Sequence, residues 1–333
     1  RGEEDHLARR LLGPRHAAAL PFRRPTLTGV GPAGIGGSAP EQMPGDPEMS
    51  SPAAVVVNHD AGDALKECIA SLRAEGVTEL VVVDNASSDG SADSLLASEP
   101  DVDVVRSPVN LGYGAGANRG LALLRSEFVL VSNPDVAVHQ GAVSVLREAL
   151  QADPALAIVG PRIEEPDGKR YPSARRFPSL VVAAGHAVLA PLAPRNRFTR
   201  RYRMEDLDPR VTSEVDWVSG ACFMARARAL DELRGFDEAY FMYAEDVDLC
   251  WRARRAGWAV AYVPGASVTH LQGVSTSKHP FRMEVEHHRS AFRFARRSAR
   301  GWRRATLPLV GVVLGVRLGA VCAVKAFAQF RGT

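Results

Sequence analysis

Polar residues that could bind a nucleotide and a metal ion follow three apolar runs of the sequence. They are Asn58 with His59, Asp84 with Asn85, and Asn133 with Asp135. A carboxylate at a strand end can accept a hydrogen bond from a nucleobase or a ribose hydroxyl, and Asn-Pro-Asp offers oxygen ligands for a divalent cation that bridges a diphosphate. Each group alone is more typical of a turn. All three together, behind apolar strands, favour ligand binding in one crevice.

A second candidate group is the acidic cluster Glu245, Asp246 and Asp248 at the start of a predicted helix. The helix dipole alone favours acidic residues there, which is a purely structural explanation. The alternative is that one carboxylate is a general base that takes a proton from an acceptor hydroxyl. His270 follows the next predicted strand and could be a metal ligand, although an isolated histidine is more often a satisfied polar residue.

The segment from Asn110 to Gly120 is rich in glycine and resembles a phosphate-binding loop. Its G-x-G-x-x-x-G spacing and its place after the third strand do not fit a dinucleotide fingerprint. The alternative is a turn that caps a helix starting near Ala115. Asn118, within this segment, is a further polar residue that could bind a ligand.

The elements that must position these residues alternate between strand and helix patterns. Strands are predicted at 53–57, 80–83, 102–105, 128–131 and 258–263, and helices at 64–74, 91–97 and 115–125. Repeated β-α-β units build a mostly parallel sheet flanked by helices, and ligands bind at the carboxyl ends of its strands. The predicted fold class is therefore α/β with a Rossmann-like sheet.

The chain is expected to hold one catalytic domain, residues 51–280, with an extension on each side. Residues 1–50 contain seven prolines and eight glycines without a sustained apolar period, so we expect disorder there, and Met49 is a candidate native start. No secretory signal pattern opens the sequence, so the catalytic domain is expected in the cytoplasm. Residues 281–333 are predicted to form a basic and apolar, helical, membrane-associating segment.

The C-terminal segment has the composition of an interfacial membrane anchor. Seven arginines and no acidic residue lie in the stretch 289–304, and the 24 residues of 307–330 form a largely apolar stretch that is interrupted by the cations Arg317 and Lys325. Each cation would cost about 2.5 to 3.5 kcal/mol at the centre of a bilayer. They lie about 80° apart on a helix, so one polar edge of a helix in the membrane interface serves both. The alternative is an amphipathic helix docked on the catalytic domain.

Three glycines spaced four residues apart in the apolar stretch form a small-residue stripe: Gly311, Gly315 and Gly319. Such a stripe suits close helix packing, so a homodimer is one expected form of the protein.

The combined motifs resemble the inverting glycosyltransferases of family two, which share the GT-A fold. The resemblance covers residues 53–300 and is carried by six motifs: Val-Val-Val-Asn58-His59, Asp84-Asn-Ala-Ser-Ser-Asp89-Gly, Asn110-Leu-Gly-Tyr-Gly, Ser132-Asn-Pro-Asp135, Ser219-Gly220-Ala, and Gly235-Phe-Asp-Glu through Glu245-Asp246-Val-Asp-Leu. Asn133-Pro-Asp135 replaces the usual D-x-D, and His59 stands where many members carry tyrosine.

The resemblance implies a role for each matching residue. His59 and Asp84 hold the nucleobase, Asp135 binds Mg²⁺ or Mn²⁺ with His270 as a further ligand, and Asp246 is the catalytic base. The remaining donor-binding candidates are Asn58, Asn85, Asn118 and Asn133, and the acceptor-binding candidates are Trp217, Ser219, Gly220 and Glu245. Trp217 is equally well explained as a core residue.

The resemblance is greatest to actinobacterial members that transfer L-rhamnose from dTDP-L-rhamnose to N-acetylglucosaminyl-diphospho-polyprenol in cell-wall linker synthesis. It implies a nucleotide-sugar donor, a polyprenyl-diphosphate-linked acceptor and a peripheral location at the cytoplasmic face of the plasma membrane, with no nucleic acid as partner. The alternatives are a family-two transferase with another donor and acceptor, a sugar-nucleotide nucleotidyltransferase, and a non-catalytic sugar-binding module. The nucleotidyltransferase would normally carry a glycine-rich basic loop near Ala53, where the sequence has none.

Overall fold

The structure of this chain is a computed structural model. It describes residues 51–177, 193, 196–202, 204, 208, 210–272 and 280–331. The predicted disorder of residues 1–50 and the candidate start at Met49 lie outside these residues.

Strands and helices alternate along the described chain. The strands are β1 (Ala53–Asn58), β2 (Leu80–Asp84), β3 (Asp103–Arg106), β4 (Phe128–Ser132), β5 (Val136–Val138), β6 (Leu156–Glu164), β7 (Arg170–Tyr171), β8 (Ala174–Arg175), β9 (Ser213–Glu214), β10 (Trp217–Val218), β11 (Cys222–Arg226) and β12 (Ala259–His270). The helices are α1 (Ala64–Ala74), α2 (Ser91–Ser98), α3 (Tyr113–Leu121), α4 (Ala142–Ala152), α5 (Arg197–Tyr202), α6 (Ala227–Leu233), α7 (Glu245–Arg255), α8 (Pro280–Ser298) and α9 (Leu307–Arg331), with a 3₁₀ helix at Gly301–Thr306.

The central sheet runs in the order β3-β2-β1-β4-β11-β6-β12-β5. Strands β3, β2, β1 and β4 are mutually parallel, and so is the long pair β6 and β12. Strand β11 is antiparallel to β4 and β6, and β5 is antiparallel to β12. The predicted α/β fold of the GT-A type is confirmed. Parallel strands are covered on both faces, which explains why β1 is a continuous apolar run that ends in one asparagine.

The glycine-rich segment forms helix α3 and lets it pack closely on the sheet. A Cβ atom on Gly120 would lie 2.1 Å from Val55 Cγ2, and one on Gly116 would lie 2.8 Å from Val57 Cγ1. Gly112 provides the turn before the helix, with φ of +88°. The predicted helix start near Ala115 was two residues late, because the glycines that resembled a loop belong to the helix.

Helices α8 and α9 form a hairpin at the C-terminus. Phe294 of α8 packs on Trp251 of α7 and on Phe177, with ring centroids 6.2 Å and 6.4 Å apart. Helix α9 then packs on α8, and a Cβ on Gly311 would lie 3.4 Å from the Phe292 ring. Helix α8 therefore packs against the α/β fold, although the predicted domain boundary at residue 280 separates the two.

Candidate functional site

The carboxyl ends of β2, β1 and β4 form one edge of the sheet, because these strands are parallel and adjacent in that order. Asp84 closes β2 and is paired in register with Asn58, which closes β1. Asn133 and Asp135 follow Ser132, the last residue of β4. The structure thus brings together the three polar groups at the position where such sheets bind their ligands.

The loops after β1 and β2 are held together by the side chain of Asn58, which is fully buried. Its Nδ2 lies 3.3 Å from Asp84 Oδ1, 3.0 Å from Ser87 Oγ and 2.9 Å from Ser91 Oγ, so its two hydrogens are shared among these three acceptors. Asn58 therefore fixes the two loops that border the site, from within the protein interior. Asp84 accepts a second bond on Oδ1 from the Ser87 N–H, so within the described chain its Oδ2 is available to a ligand. His59 is half-buried immediately after β1.

Asn85 supports a loop, which differs from its predicted contact with the donor. Its Nδ2 donates to Asn110 Oδ1 and to Gly112 O, both at 3.1 Å, and its Oδ1 accepts from the Leu111 N–H at 2.9 Å. These bonds occupy both ends of the amide. Asn85 thus fixes the turn that leads into α3.

Asn118 is also committed to the protein interior. Its Nδ2 donates to Phe236 O and to Glu238 Oε1, both at 3.0 Å, and its Oδ1 accepts from the Phe236 N–H at 2.8 Å. Both amide hydrogens are used, which argues against the predicted donor contact. Asn118 instead ties α3 to the segment that precedes the acidic cluster.

Asp135 and His270 meet at the ends of β4 and β12. His270 Nε2 lies 3.1 Å from Asp135 Oδ1 and 3.2 Å from Asn133 Nδ2. The two side chains are 12% and 9% exposed. A carboxylate and an imidazole, completed by diphosphate oxygens and water, suit Mg²⁺ or Mn²⁺. The residues present therefore fit the metal that the fold family implies.

Strand β12 is longer than predicted, and this length brings His270 to the site. The sequence pattern predicted a strand that ends at Val263, but β12 continues to His270 through a register shift between Val263 and Ser267. Its last residues pair with β5, and the Leu271 N–H donates to Asp135 O at 3.0 Å.

Asp246 lies in the first turn of α7, against the turn before β11. The Gly220 N–H donates to Asp246 Oδ2 at 2.8 Å, and the Val247 N–H donates to Oδ1 at 2.8 Å. A Cβ atom on Gly220 would lie 3.0 Å from Asp246 Cβ, so the close approach favours glycine. The Asn133 N–H donates to Ala221 O at 2.8 Å. This bond connects the Asp246 side of the site to the Asp135 side.

The carboxyl groups of Glu245 and Asp246 differ in their surroundings. Burial raises the pKa of both, and the charge of Asp246 raises that of Glu245 further, to about 8. Asp246 is stabilised as an anion by its two backbone N–H donors and by the charge of Arg175. Glu245 Oε2 is buried and has no hydrogen-bond partner in the described part of the chain. Of the two carboxyl groups, Asp246 has the better-stabilised anion, which suits a general base, and Glu245 is the more readily protonated.

Asp248, the third acid of the cluster, is a structural residue. It is fully buried, and its Oδ2 lies 2.7 Å from Arg252 Nε while its Oδ1 lies 3.0 Å from Arg297 Nε. Arg252 also donates to Leu233 O and Gly235 O, at 2.7 and 2.8 Å. Because both oxygens are engaged by arginines, Asp248 is a poor candidate for the base.

Arg175 is a site residue that the sequence motifs did not reveal. Its guanidinium carbon lies over three aromatic rings: Tyr171 at 5.3 Å, Tyr202 at 5.6 Å and Trp217 at 5.1 Å. Two of these partners are distant in sequence, so no local spacing signals the arrangement. Trp217 is buried and its Nε1 donates to Arg176 O at 3.1 Å. Trp217 thus supports Arg175 from the core, which is the second of the two roles predicted for it.

Ser219 and Tyr113 border the Asp246 side of the site. The Ser219 N–H donates to Ser173 O at 2.8 Å, and the side chain is partly exposed, as an acceptor contact requires. The Tyr113 hydroxyl donates to Gly220 O at 2.7 Å. Burial, and after it the charge of Glu245, holds the Tyr113 pKa well above its usual range, so the phenol stays protonated.

Comparisons with known proteins give the family of the chain. The family described as Glycosyl transferase family 2 matches residues 53–234, and Glycosyl transferase family group 2 matches residues 198–329. The chain is 39% identical over 266 residues to an N-acetylglucosaminyl-diphospho-decaprenol L-rhamnosyltransferase of Mycobacterium tuberculosis, covering 76% of this chain and 86% of the relative.

Two further relatives are more distant. A pre-mycofactocin glycosyltransferase of Mycobacterium tuberculosis is 29% identical over 68% of this chain and 44% of its own length. The rhamnosyltransferase WbbL of Escherichia coli is 25% identical over 65% of this chain and 81% of its own length. With a family match over more than half of its residues and a 39% identical relative covered over most of its length, the chain belongs to glycosyltransferase family 2 and is a glycosyltransferase.

Proposed function

We propose that the protein is an inverting, metal-dependent rhamnosyltransferase that transfers L-rhamnose from dTDP-L-rhamnose to N-acetylglucosaminyl-diphospho-polyprenol in arabinogalactan linker synthesis. The observation that carries the reaction class is the position of the Asp246 carboxylate, which is held by the Gly220 N–H and joined through the β11 turn to Asp135 and His270. The donor and acceptor are supported by the 39% identical relative, whose name states both the sugar and the lipid.

The proposed reaction is a single in-line displacement. Asp84 and His59 bind the nucleobase end of the donor, and Asn133, Asp135 and His270 lie at its diphosphate end. Asp246 accepts the proton of the acceptor hydroxyl while that oxygen bonds to the anomeric carbon. The bond from this carbon to the diphosphate oxygen breaks, and the diphosphate leaves with the electron pair. A bound Mg²⁺ or Mn²⁺ supplies neutralisation of the charge on the leaving group.

The acceptor is proposed to approach from the side of Ser219 and Glu245. The protonated Glu245 carboxyl donates a hydrogen bond to a sugar hydroxyl, and its unpartnered Oε2 is the atom that such a contact would engage. Arg175, close enough to Asp246 to stabilise its charge, adds a cation for an anionic acceptor. Gly220 limits the space beside Asp246.

A donor panel tests the proposed reaction against its alternatives. The chain is incubated with Mg²⁺, a polyprenyl-diphospho-N-acetylglucosamine and each of several nucleotide sugars, and released products are quantified. We expect nucleoside diphosphate release with dTDP-L-rhamnose. Pyrophosphate release would instead indicate a nucleotidyltransferase, and no release with any donor would indicate a sugar-binding module.

We further propose that α9 binds the cytoplasmic membrane surface without crossing it. Residues Gly301–Phe327 form one helical stretch long and apolar enough to span a bilayer, and none of its most apolar window is buried. Five large apolar side chains of α9 are each more than half exposed: Leu309, Val312, Val316, Val324 and Phe327. Their spacing places them on one face, which we call the lipid face.

The two cations of α9 turn towards α8. Arg317 Nη1 lies 3.0 Å from His288 Nε2, and Lys325 Nζ donates to Glu284 Oε1 at 2.7 Å. These contacts favour the interface over a span, because a spanning α9 would carry the ionisable residues of α8 into hydrocarbon. In the interface the lipid face enters the bilayer while α8 stays in water. Arg303 and Arg304 of the 3₁₀ helix are exposed directly before α9 and add about 1 kcal/mol each with anionic lipid.

Liposome flotation tests the lipid face. We expect the intact chain to float with vesicles that contain anionic lipid, and the double variant Val312→Asp/Val316→Asp to lose most of this binding, since two carboxylates would enter the bilayer. Arg289→Glu changes the net charge by the same two units on α8, where the Arg289 side chain is 72% exposed, and should still float. Equal flotation of the Val312→Asp/Val316→Asp variant and the intact chain would contradict the proposal.

The small-residue stripe is divided in the structure. Gly311 faces α8, whereas a Cβ on Gly315 or Gly319 would meet no atom within 4 Å among the described residues. A homodimer through the two open glycines stays a prediction, which sedimentation in detergent of wild type against Gly315→Leu would measure.

A further inference from the structure

Helix α8 contacts the loop that leads into the acidic cluster, residues 240–244. We propose that Ser290 and Arg297 of α8 are positioning residues that hold this loop, and with it Asp246, in the geometry for proton transfer. The inference rests on the proposed role of Asp246 as the base. The loop is strained, so it keeps its conformation only where neighbouring residues hold it.

The strain lies in the two residues immediately before α7. Tyr243 has φ of 66° and Ala244 has φ of 61°, so both occupy the left-handed region without being glycine. Residues with side chains keep such conformations only where surrounding contacts hold them. The reversal of the chain at these residues starts α7 at Glu245 and directs Asp246 towards Gly220.

One face of the loop is held by the sheet-side helix α3. The Tyr113 N–H donates to Phe241 O at 2.9 Å, and a Cβ on Gly112 would lie 2.2 Å from this same oxygen. The loop therefore packs tightly against the start of α3. This contact fixes Phe241 but does not reach the left-handed residues that follow it.

The other face of the loop is held by α8. The Ser290 hydroxyl donates to Met242 O at 2.8 Å, directly before the strained pair. The His287 ring packs edge-on against Tyr243, with centroids 5.3 Å apart, and the Arg282 guanidinium lies 4.9 Å from the Phe241 ring centre. Ser290 is buried, so its bond is shielded from competing water.

Arg297, two turns later on α8, holds the helix that carries Asp246. Its Nε lies 3.0 Å from Asp248 Oδ1, and it also pairs with Asp237 on the far side of the loop. Asp248 is fully buried two residues after Asp246, so its position determines that of the first turn of α7. One arginine thus connects the segment before the loop to the helix after it.

Helix α8 also contacts α9, the helix that has the lipid face. Helix α8 therefore contacts both the loop before the proposed base and the helix proposed to meet the membrane. Helix α8 would therefore set the distance from the membrane surface at which a lipid-linked acceptor meets Asp246.

The experiment compares Ser290→Ala and Arg297→Gln with the control Arg289→Gln, an exposed arginine of the same helix, and with the conservative variant Ser290→Thr. We measure kcat, the KM of each substrate, the Kd of dTDP, the melting temperature, and hydrogen exchange of the backbone amides of residues 241–248. A misplacement near 1 Å is enough to reduce kcat by about 10²-fold.

We expect a kcat reduction of about 10-fold for Ser290→Ala and more for Arg297→Gln. The dTDP Kd should stay within about twofold, exchange in the loop should accelerate, and Ser290→Thr should restore both kcat and protection. Unchanged loop exchange, or a kcat equal to that of Arg289→Gln, would overturn the inference, and so would a parallel loss of dTDP binding and thermal stability. If wild type itself transfers no sugar, the proposed function fails, while loop exchange still decides whether α8 holds the loop.

Discussion

Asp246→Asn is expected to reduce kcat by about 10²- to 10⁴-fold, the usual contribution of a general base. Asparagine has nearly the same shape and can still accept the Gly220 N–H, which reaches Oδ2 at 2.8 Å in the wild type. It cannot accept the acceptor proton. Because the proposed base acts on the acceptor and not on the nucleotide, the Kd of the nucleotide should remain within about twofold of wild type.

Glu245→Gln is the matched control for this prediction. Its carboxyl is already protonated near neutral pH, since burial and the adjacent Asp246 raise its pKa to about 8. Replacing a neutral acid with an amide should therefore raise the KM of the acceptor more than it lowers kcat. Single-turnover kinetics with both variants separates binding from chemistry. A near wild-type kcat for Asp246→Asn would assign the base to another group.

Asp135→Ala is the second change with a large expected effect, about 10²- to 10³-fold in kcat/KM. A metal ion contributes several kcal/mol by stabilising the charge of a leaving group. The substitution removes the only carboxylate among the described residues within 3.1 Å of His270 Nε2. Metal and donor affinity should fall together, and His270→Ala should have the same effect in a milder form.

Binding of Mn²⁺, followed by electron paramagnetic resonance in the presence of dTDP, measures this prediction independently of activity. Asp101→Ala, at an exposed carboxylate just before the amino end of β3 and thus away from the carboxyl ends of the strands, should bind Mn²⁺ as wild type does. Full transfer activity in excess chelator would contradict the metal role.

The parts of the site that lie within single β-α units could be predicted from the sequence. The ends of β1, β2 and β4 were located by short apolar runs followed by polar residues, because parallel strands buried on both faces leave this pattern. The start of α7 was located for a similar reason. Glu245, Asp246 and Asp248 are acids of the kind that a helix N-terminus favours.

The parts that depend on distant contacts could not be predicted. Asn85 and Asn118 look like ligand-binding residues, and only the fold shows that their amides are used by Asn110 and Phe236. Arg175 gains its place from rings that meet it only in the folded chain. In each case the determining partner is brought close by tertiary packing, on which local spacing carries no information.

The C-terminal helices show the same limit. The sequence predicted the apolar stretch and the two cations within it, since both are properties of composition. It could not predict that Arg317 and Lys325 would turn to His288 and Glu284, or that α8 would pack on the loop before Asp246. Composition predicts a domain boundary at residue 280, whereas the contacts between α8 and the loop before Asp246 cross that boundary.

The most direct test of the central claim is the anomeric configuration of the product made from dTDP-β-L-rhamnose and polyprenyl-diphospho-N-acetylglucosamine. Purified chain, Mg²⁺ and both substrates are incubated, and the one-bond carbon–hydrogen coupling at the new anomeric centre is measured by nuclear magnetic resonance. Displacement with Asp246 as base predicts an α-L-rhamnosyl product and its loss in Asp246→Asn. A β-L-rhamnosyl product, or transfer that is unaffected by Asp246→Asn, would contradict the account.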